Sequence, residues 1–235
     1  MGLFTKKYCE FCGEKLGLFG NTTLKDGYMC KNCARKVSQW YSVGKSNTVA
    51  DLYEHFMYRD ANKEKVDAFR VAGTMGEYTK IFVDTDARRI MVSTSSDFAK
   101  HNPDVIDLDD VTAAEYSIQD SKTELKTKDE KGNSISYEPK RYEYKYDFYV
   151  TLYVKNPYFN TMRFKVNSSY VHIDPWAETA SLANYAFVDR YTPDVNSNED
   201  YQAYKAMVEE IVNYFTPGSA PAVEMPNYQM PKITF

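Results

Sequence analysis

Four cysteines carry the clearest chemistry in the chain. They stand as Cys9-Glu-Phe-Cys12 and Cys30-Lys-Asn-Cys33, two C-x2-C pairs separated by 17 residues. Two residues between paired thiols let both sulfurs point inward from one tight turn, and a medium loop brings the second pair to the remaining corners of a tetrahedron. Gly13, directly after the second thiol, suits a turn that needs a positive φ. Between the pairs, Lys15 to Tyr28 reads as short strands and turns, with Asp26-Gly27 as the hairpin signal. This is a zinc-ribbon layout with Cys9, Cys12, Cys30 and Cys33 as ligands. Two disulfides or a thioredoxin-type redox pair are the alternatives. A redox motif is usually a single pair beside a βαβ unit, and stable disulfides do not suit the cytosol. With four protein ligands the coordination sphere is closed, so one structural Zn2+ per chain is expected and catalysis by it is not. Such binding is worth about 10–16 kcal/mol in comparable peptides, more than a module this small obtains from apolar burial.

The run Lys7-Tyr-Cys-Glu-Phe-Cys-Gly-Glu-Lys-Leu-Gly-Leu-Phe-Gly20, with Leu24-Lys-Asp-Gly-Tyr-Met-Cys-Lys-Asn-Cys33 after it, resembles the short N-terminal four-cysteine domain of a family of uncharacterised bacterial proteins. Tyr58 to Val66 and Arg141 to Val150 also look like its longer members, so the resemblance extends over residues 1–215. It implies a bacterial, metal-binding protein and brings no reaction, substrate or partner, because the family is itself a domain of unknown function.

Charge narrows the partner. The 235 residues hold 29 basic and 33 acidic groups, net −4. Residues 1–45 have eight basic against three acidic groups, +5, and the remainder is −9. Four thiolates around one Zn2+ subtract two charges from the first segment. A surface shaped wholly for phosphate backbones is therefore excluded, and nucleic-acid binding is disfavoured. Mean hydropathy is −0.59, and no window approaches the roughly 18 apolar residues of a membrane span. The opening residues contain no signal-peptide stretch, and Lys6 stands where a myristoylation signal wants Ser or Thr. A cytoplasmic location is expected.

The elements that must position these residues follow from periodicity. A short helix from Cys33 through Trp40 would close the ribbon. Thr48-Val-Ala-Asp51 resembles a capping box, followed by Val49, Leu52, Tyr53 and Phe56 at helical spacing. Gly73 and Gly76 mark a boundary near residue 70. From about 78 to 174 the period becomes 2. Ile81 and Val83, then Ile90 and Val92, form a hairpin; strands follow at 114–118, 124–126 and 135–137. In residues 141–155 the even positions Tyr142 to Val154 are all apolar or aromatic, the odd ones mostly charged, so one face is buried and one wet. Met162, Phe164 and Val166 alternate next, and Tyr170 to Asp174 could add a last strand. Residues 177–188 read as a short helix. Tyr201, Tyr204, Val208, Ile211, Val212 and Phe215 form one helical stripe, capped near Ser197 and Asp200.

The expected fold is α+β: a ribbon over 1–45, a helical connector over 46–70, a mostly antiparallel β domain with a C-terminal helix over 71–216, and a Pro-rich extended tail over 217–235. The order of elements resembles a pleckstrin-homology-like layout, which carries no function. Residues 70–216 are expected to fold without the ribbon.

Other chemistry is weaker. His55, His101 and His172 are scattered and read as surface or satisfied structural residues. No nucleophile elbow, phosphate loop or His-Glu-x-x-His is present. Asp104, Asp107, Asp109 and Asp110 read as a solvated turn, since no EF-hand spacing accompanies them. The 21 tyrosines read mainly as core, with Tyr149 and Tyr153 left on the wet face as candidates for a protein interface. The expected function is a zinc-stabilised binding or scaffold protein, not an enzyme, with an unidentified protein partner. The alternative is a nucleic-acid-associated regulator using the basic ribbon.

Overall fold

A computed structural model describes residues 7–178 and 192–216. The expected tail over 217–235 lies outside the described residues, as does most of the short helix expected at 177–188. The chain is α+β, with antiparallel sheets and a C-terminal helix, and divides into two compact units. Among the described residues no helix is long and apolar enough to cross a membrane.

Among the described residues the first unit comprises 7–74, 81–112 and 153–162. Its cysteine module contains a two-stranded antiparallel hairpin, β1 (Thr22–Thr23) and β2 (Tyr28–Met29), with Thr22 opposite Met29 and Thr23 opposite Tyr28. Asp26-Gly27 sits at the turn as expected, and Leu24 N–H donates to Gly27 C=O at 2.9 Å. Glycine is required there by space: a Cβ would lie 2.7 Å from both Glu10 Cγ and Val49 Cγ2. The helix after the second cysteine pair is only one turn, α1 (Lys31–Ala34). It ends well before Trp40 because the chain turns to bury Ser38.

The long helix α2 (Val49–Ala68) starts at a true capping box, in which Thr48 Oγ1 accepts from Asp51 N–H and Asp51 returns the bond to Thr48 N–H. Its first turns supply Leu52, Val49 and Phe56 to a cluster with Cys9, Leu24, Met29, Cys30 and Cys33. Its last turn supplies Val66, which with Phe69 packs against Phe82, Met91, Val105 and Phe98. One helix thus contributes to two cores. Its apolar residues are not confined to a single narrow stripe, because different turns face different neighbours.

The sheet that follows has the order β3 (Gly73–Met75), β4 (Lys80–Asp84), β5 (Arg89–Ser93), β6 (Val105–Asp107). The hairpin expected at Ile81–Val92 is present, but the alternation is not. Ile81, Phe82, Val83 and Asp84 are all buried, as are Ile90, Met91 and Val92, so both faces of β4 and β5 are covered. A one-turn helix, α3 (Phe98–His101), bridges β5 and β6.

Among the described residues the second unit comprises 75–80, 113–152, 163–178 and 192–216. The separate strands expected at 114–118 and 124–126 are one strand, β7 (Val111–Lys128), and those at 135–137 and 141–155 are one strand, β8 (Ser134–Val154). They are joined by a turn whose Gly132 takes φ +83°. Strand β9 (Thr161–Lys165) pairs with β8, and β10 (Val171–Ile173) pairs antiparallel with it, Val171 opposite Tyr146. The even-numbered face of β8 is buried from Tyr146 to Val154, as its alternation predicts. A short helix, α4 (Pro175–Glu178), follows. The last helix, α5 (Glu199–Tyr214), is capped by Asn198, one residue beyond Ser197, and buries Tyr204, Met207, Val208 and Ile211. Tyr201 meets Phe148 edge to face and Tyr204 meets it at a tilt, at 5.2 and 5.5 Å between ring centres.

Candidate metal centre

The four cysteines expected as ligands are brought together, their sulfurs all within 4.8 Å of one another. The first pair is shaped by a knuckle: Cys9 N–H donates to Glu14 C=O at 2.9 Å and Gly13 N–H to Cys9 C=O at 2.8 Å. Gly13 takes φ +72°, the left-handed region where a side chain would be strained. The second pair flanks α1: Cys30 is its N-cap, and Cys33 N–H donates to Cys30 Sγ at 3.4 Å. Cys30 N–H donates to Cys9 Sγ at 3.3 Å, tying the two pairs to each other. Cys9, Cys30 and Cys33 are buried and Cys12 is exposed.

Geometry separates the possible chemistries. Cys12 and Cys30 Sγ are 3.7 Å apart, far beyond the roughly 2.05 Å of a disulfide. A metal–sulfur bond of about 2.3 Å places the corners of a regular tetrahedron about 3.8 Å apart. The Cys12–Cys30 separation fits that spacing, and all four sulfurs lie close enough together to share one metal ion.

Electrostatics point the same way. Burial pushes the Cys9 thiol up, but the N–H groups of Cys30, Phe11 and Cys12 outweigh it and bring it down to about 7. The Cys33 thiol is pushed far up, first by burial and then by the sulfurs of Cys12, Cys30 and Cys9. Four thiols this close cannot all ionise without a cation among them, and a bound metal supplies that cation.

The remaining candidates are dispersed. Asp104 is not in a solvated turn: it is buried and bonded to Arg59, Tyr58 and Ser38. Burial is possible because those donors neutralise and saturate its carboxylate. Asp107 pairs with Arg89 and Asp109 with Arg88, so these two carboxylates are held by cations of β5 and the turn before it rather than gathered into one site. His55 is fully buried against Tyr41, Tyr58 and Tyr158, and its Nε2 accepts from Ser38 N–H at 3.1 Å. Burial, reinforced by Arg59, pulls its pKa down to about 4. His101 is exposed, and His172 meets Glu143 at 2.9 Å on the surface. Tyr149 is half-buried beneath the Arg163 guanidinium, 3.9 Å from its ring centre, and Tyr153 is half-buried as well.

Sequence patterns missed the polar lock of Ser38, His55, Arg59 and Asp104. His55 and Arg59 share a face of α2 four residues apart, but Ser38 and Asp104 come from segments distant in the chain, and no local spacing relates them to that face.

Residues 7–55 match a family described as a domain of unknown function, DUF4428. The matched segment contains all four cysteines and ends inside α2. No curated protein and no solved structure matches the chain.

Proposed function

We propose that Cys9, Cys12, Cys30 and Cys33 hold one structural Zn2+ per chain, and that the protein is a non-catalytic binding or scaffold protein of the cytoplasm acting on a protein partner. The convergence of four sulfurs within 4.8 Å of one another, Cys12 and Cys30 at 3.7 Å, carries this reading. All-sulfur tetrahedral sites favour zinc or iron–sulfur chemistry, and two C-x2-C knuckles around a hairpin favour zinc. A closed tetrathiolate has no position for an activated water, so the metal's contribution is to folding. Thiolate ligation also fits a reducing compartment. The alternative, a nucleic-acid-associated role, is favoured by the basic groups of the cysteine module, with Lys7, Lys15, Lys25, Lys31, Arg35 and Lys36 all exposed, and opposed by the −4 net charge of the chain.

Two measurements test this. Native mass spectrometry and metal analysis of chain purified without added zinc should give one zinc, and two disulfides without metal would overturn the site. Recovery of the tagged protein from native cells should bring down protein; nucleic acid alone would overturn the binding reading.

A further inference from the structure

Beside the cysteine cluster lies a groove of about 500 Å3, within the 300–1,000 Å3 typical of ligand sites. Its apolar surface comes from Phe11, Tyr53, Phe56 and Met57. Met57 is 72% exposed and Tyr53 50%, although both belong to the helix that organises two cores. Phe11 meets Phe56 edge to face and Tyr53 at a tilt, each at 5.1 Å between ring centres, so this surface is pre-organised rather than loose. Exposed methionine and aromatic rings on a rigid helix are characteristic of protein-binding surfaces.

The surrounding charge is positive. Arg35, Lys36, Lys63 and Lys100 line the groove and are exposed, against one lining carboxylate, Asp60, which pairs with Lys63 at 2.6 Å. With the lining Arg59 neutralised by Asp104, that leaves a net +3, in a chain whose total is −4. Two thiolate charges in excess on a zinc centre at Cys12 and Cys33 would reduce it to +1 without changing its sign.

A smaller, more polar cavity of about 170 Å3 shares Arg35, Arg59, His101 and Asn102 with the groove. Arg59 spends its Nη atoms on Asp104 and on the Asn102 carbonyl, but its Nε has no hydrogen-bond partner among the described residues.

We infer that this groove binds an acidic peptide segment of a partner protein, seating one bulky apolar side chain on Phe11, Tyr53, Phe56 and Met57 while flanking Asp or Glu residues meet Arg35, Lys36, Lys63 and Lys100. The inference rests on the protein-binding reading above and names the surface and the partner's chemistry. The apolar area supplies anchoring, and the cations supply orientation and selectivity against basic or neutral peptides. The −9 charge outside residues 1–45 disfavours a long polyanion more than a short acidic segment, because only the latter confines its charge to the groove.

Selection of displayed random peptides of about twelve residues on the full zinc-loaded chain tests the inference. Enriched peptides should carry Asp or Glu on both sides of a Leu, Phe, Trp or Met. Their affinity should fall roughly tenfold or more in a Lys36→Glu, Lys100→Glu double variant and in Met57→Lys, with the melting transition and zinc content unchanged, since these side chains are exposed. The milder Lys36→Ser, Lys100→Ser pair should give an intermediate loss. Enriched peptides that are basic or neutral, or that bind the charge-reversed variant equally, would overturn the groove while leaving the protein-binding reading to its own recovery experiment. No enrichment would also overturn the groove. Tight binding of oligo(dT) lost in the same variant would overturn the groove's assignment and the protein-binding reading together.

Discussion

Arg59 Nη1 and Asp104 Oδ1 meet at 2.7 Å with side chains 8% and 2% exposed. Their residues lie on α2 and just before β6, so the pair fastens the long helix to the first sheet. The same carboxylate accepts the Tyr58 hydroxyl at 3.0 Å and the Ser38 hydroxyl at 2.8 Å. The segment that follows the cysteines is thereby tied to the same point.

Removing one member of such a pair leaves the other charge buried. Asp104→Ala should therefore destabilise the protein by about 3–5 kcal/mol. Asp104→Asn, which keeps the shape but not the charge, should still cost a large part of this. Urea unfolding followed by circular dichroism measures both, and a loss below about 1 kcal/mol for Asp104→Ala would show that the lock is not needed.

His55 gives the fold a defined acid sensitivity. Its folded pKa of about 4 lies below the ordinary 6.5, so the unfolded chain binds the proton first. Its contribution is complete above pH 6.5 and is lost as pH falls from 6.5 towards 4. Between about pH 7.5 and 5.5 wild type should lose about 1.4 kcal/mol more than His55→Gln, which does not titrate. Parallel urea curves at the two pH values would contradict the burial of a neutral imidazole.

Asn167 is fully buried where β9 gives way to β10 along β8. Its Oδ1 accepts from Phe148 N–H at 2.8 Å and its Nδ2 donates to Tyr146 and Ser169 carbonyls at 3.3 and 2.6 Å. The side chain thus replaces backbone partners across a change of register. Asn167→Ala should cost about 2–4 kcal/mol by leaving these groups unpaired, and Asn167→Asp should not rescue it because a carboxylate cannot donate. Thermal melting of both variants against wild type checks this.

A chain beginning at residue 70 should not fold as a monomer. It would lose Val66 and Phe69, which pack on Phe82, Met91 and Val105, and it would leave Asp104 buried without Arg59. This reverses the expectation from strand patterning alone. Expression of residues 49–216 beside 70–216 distinguishes the two: a soluble, cooperatively melting 70–216 would show that α2 is dispensable.

The cysteine module was legible in the sequence because its geometry is local. Knuckles at Cys9–Cys12 and Cys30–Cys33 depend on a few consecutive residues, a left-handed Gly13 and the chemistry of thiolates. The same holds for the Thr48–Asp51 capping box, the hairpin at Gly27 and the buried even-numbered face of β8, each set by short-range stereochemistry or a period of two. Tertiary structure alone decided the rest. Whether Asp104 faced water or Arg59, whether Ile81 and Phe82 were both covered, and whether Lys63 and Lys100 flanked one groove depended on which distant segments converge. Sequence spacing holds no information about that convergence, since the free energy of a buried charge or of a doubly covered strand is set by the partners that arrive and not by the neighbours along the chain.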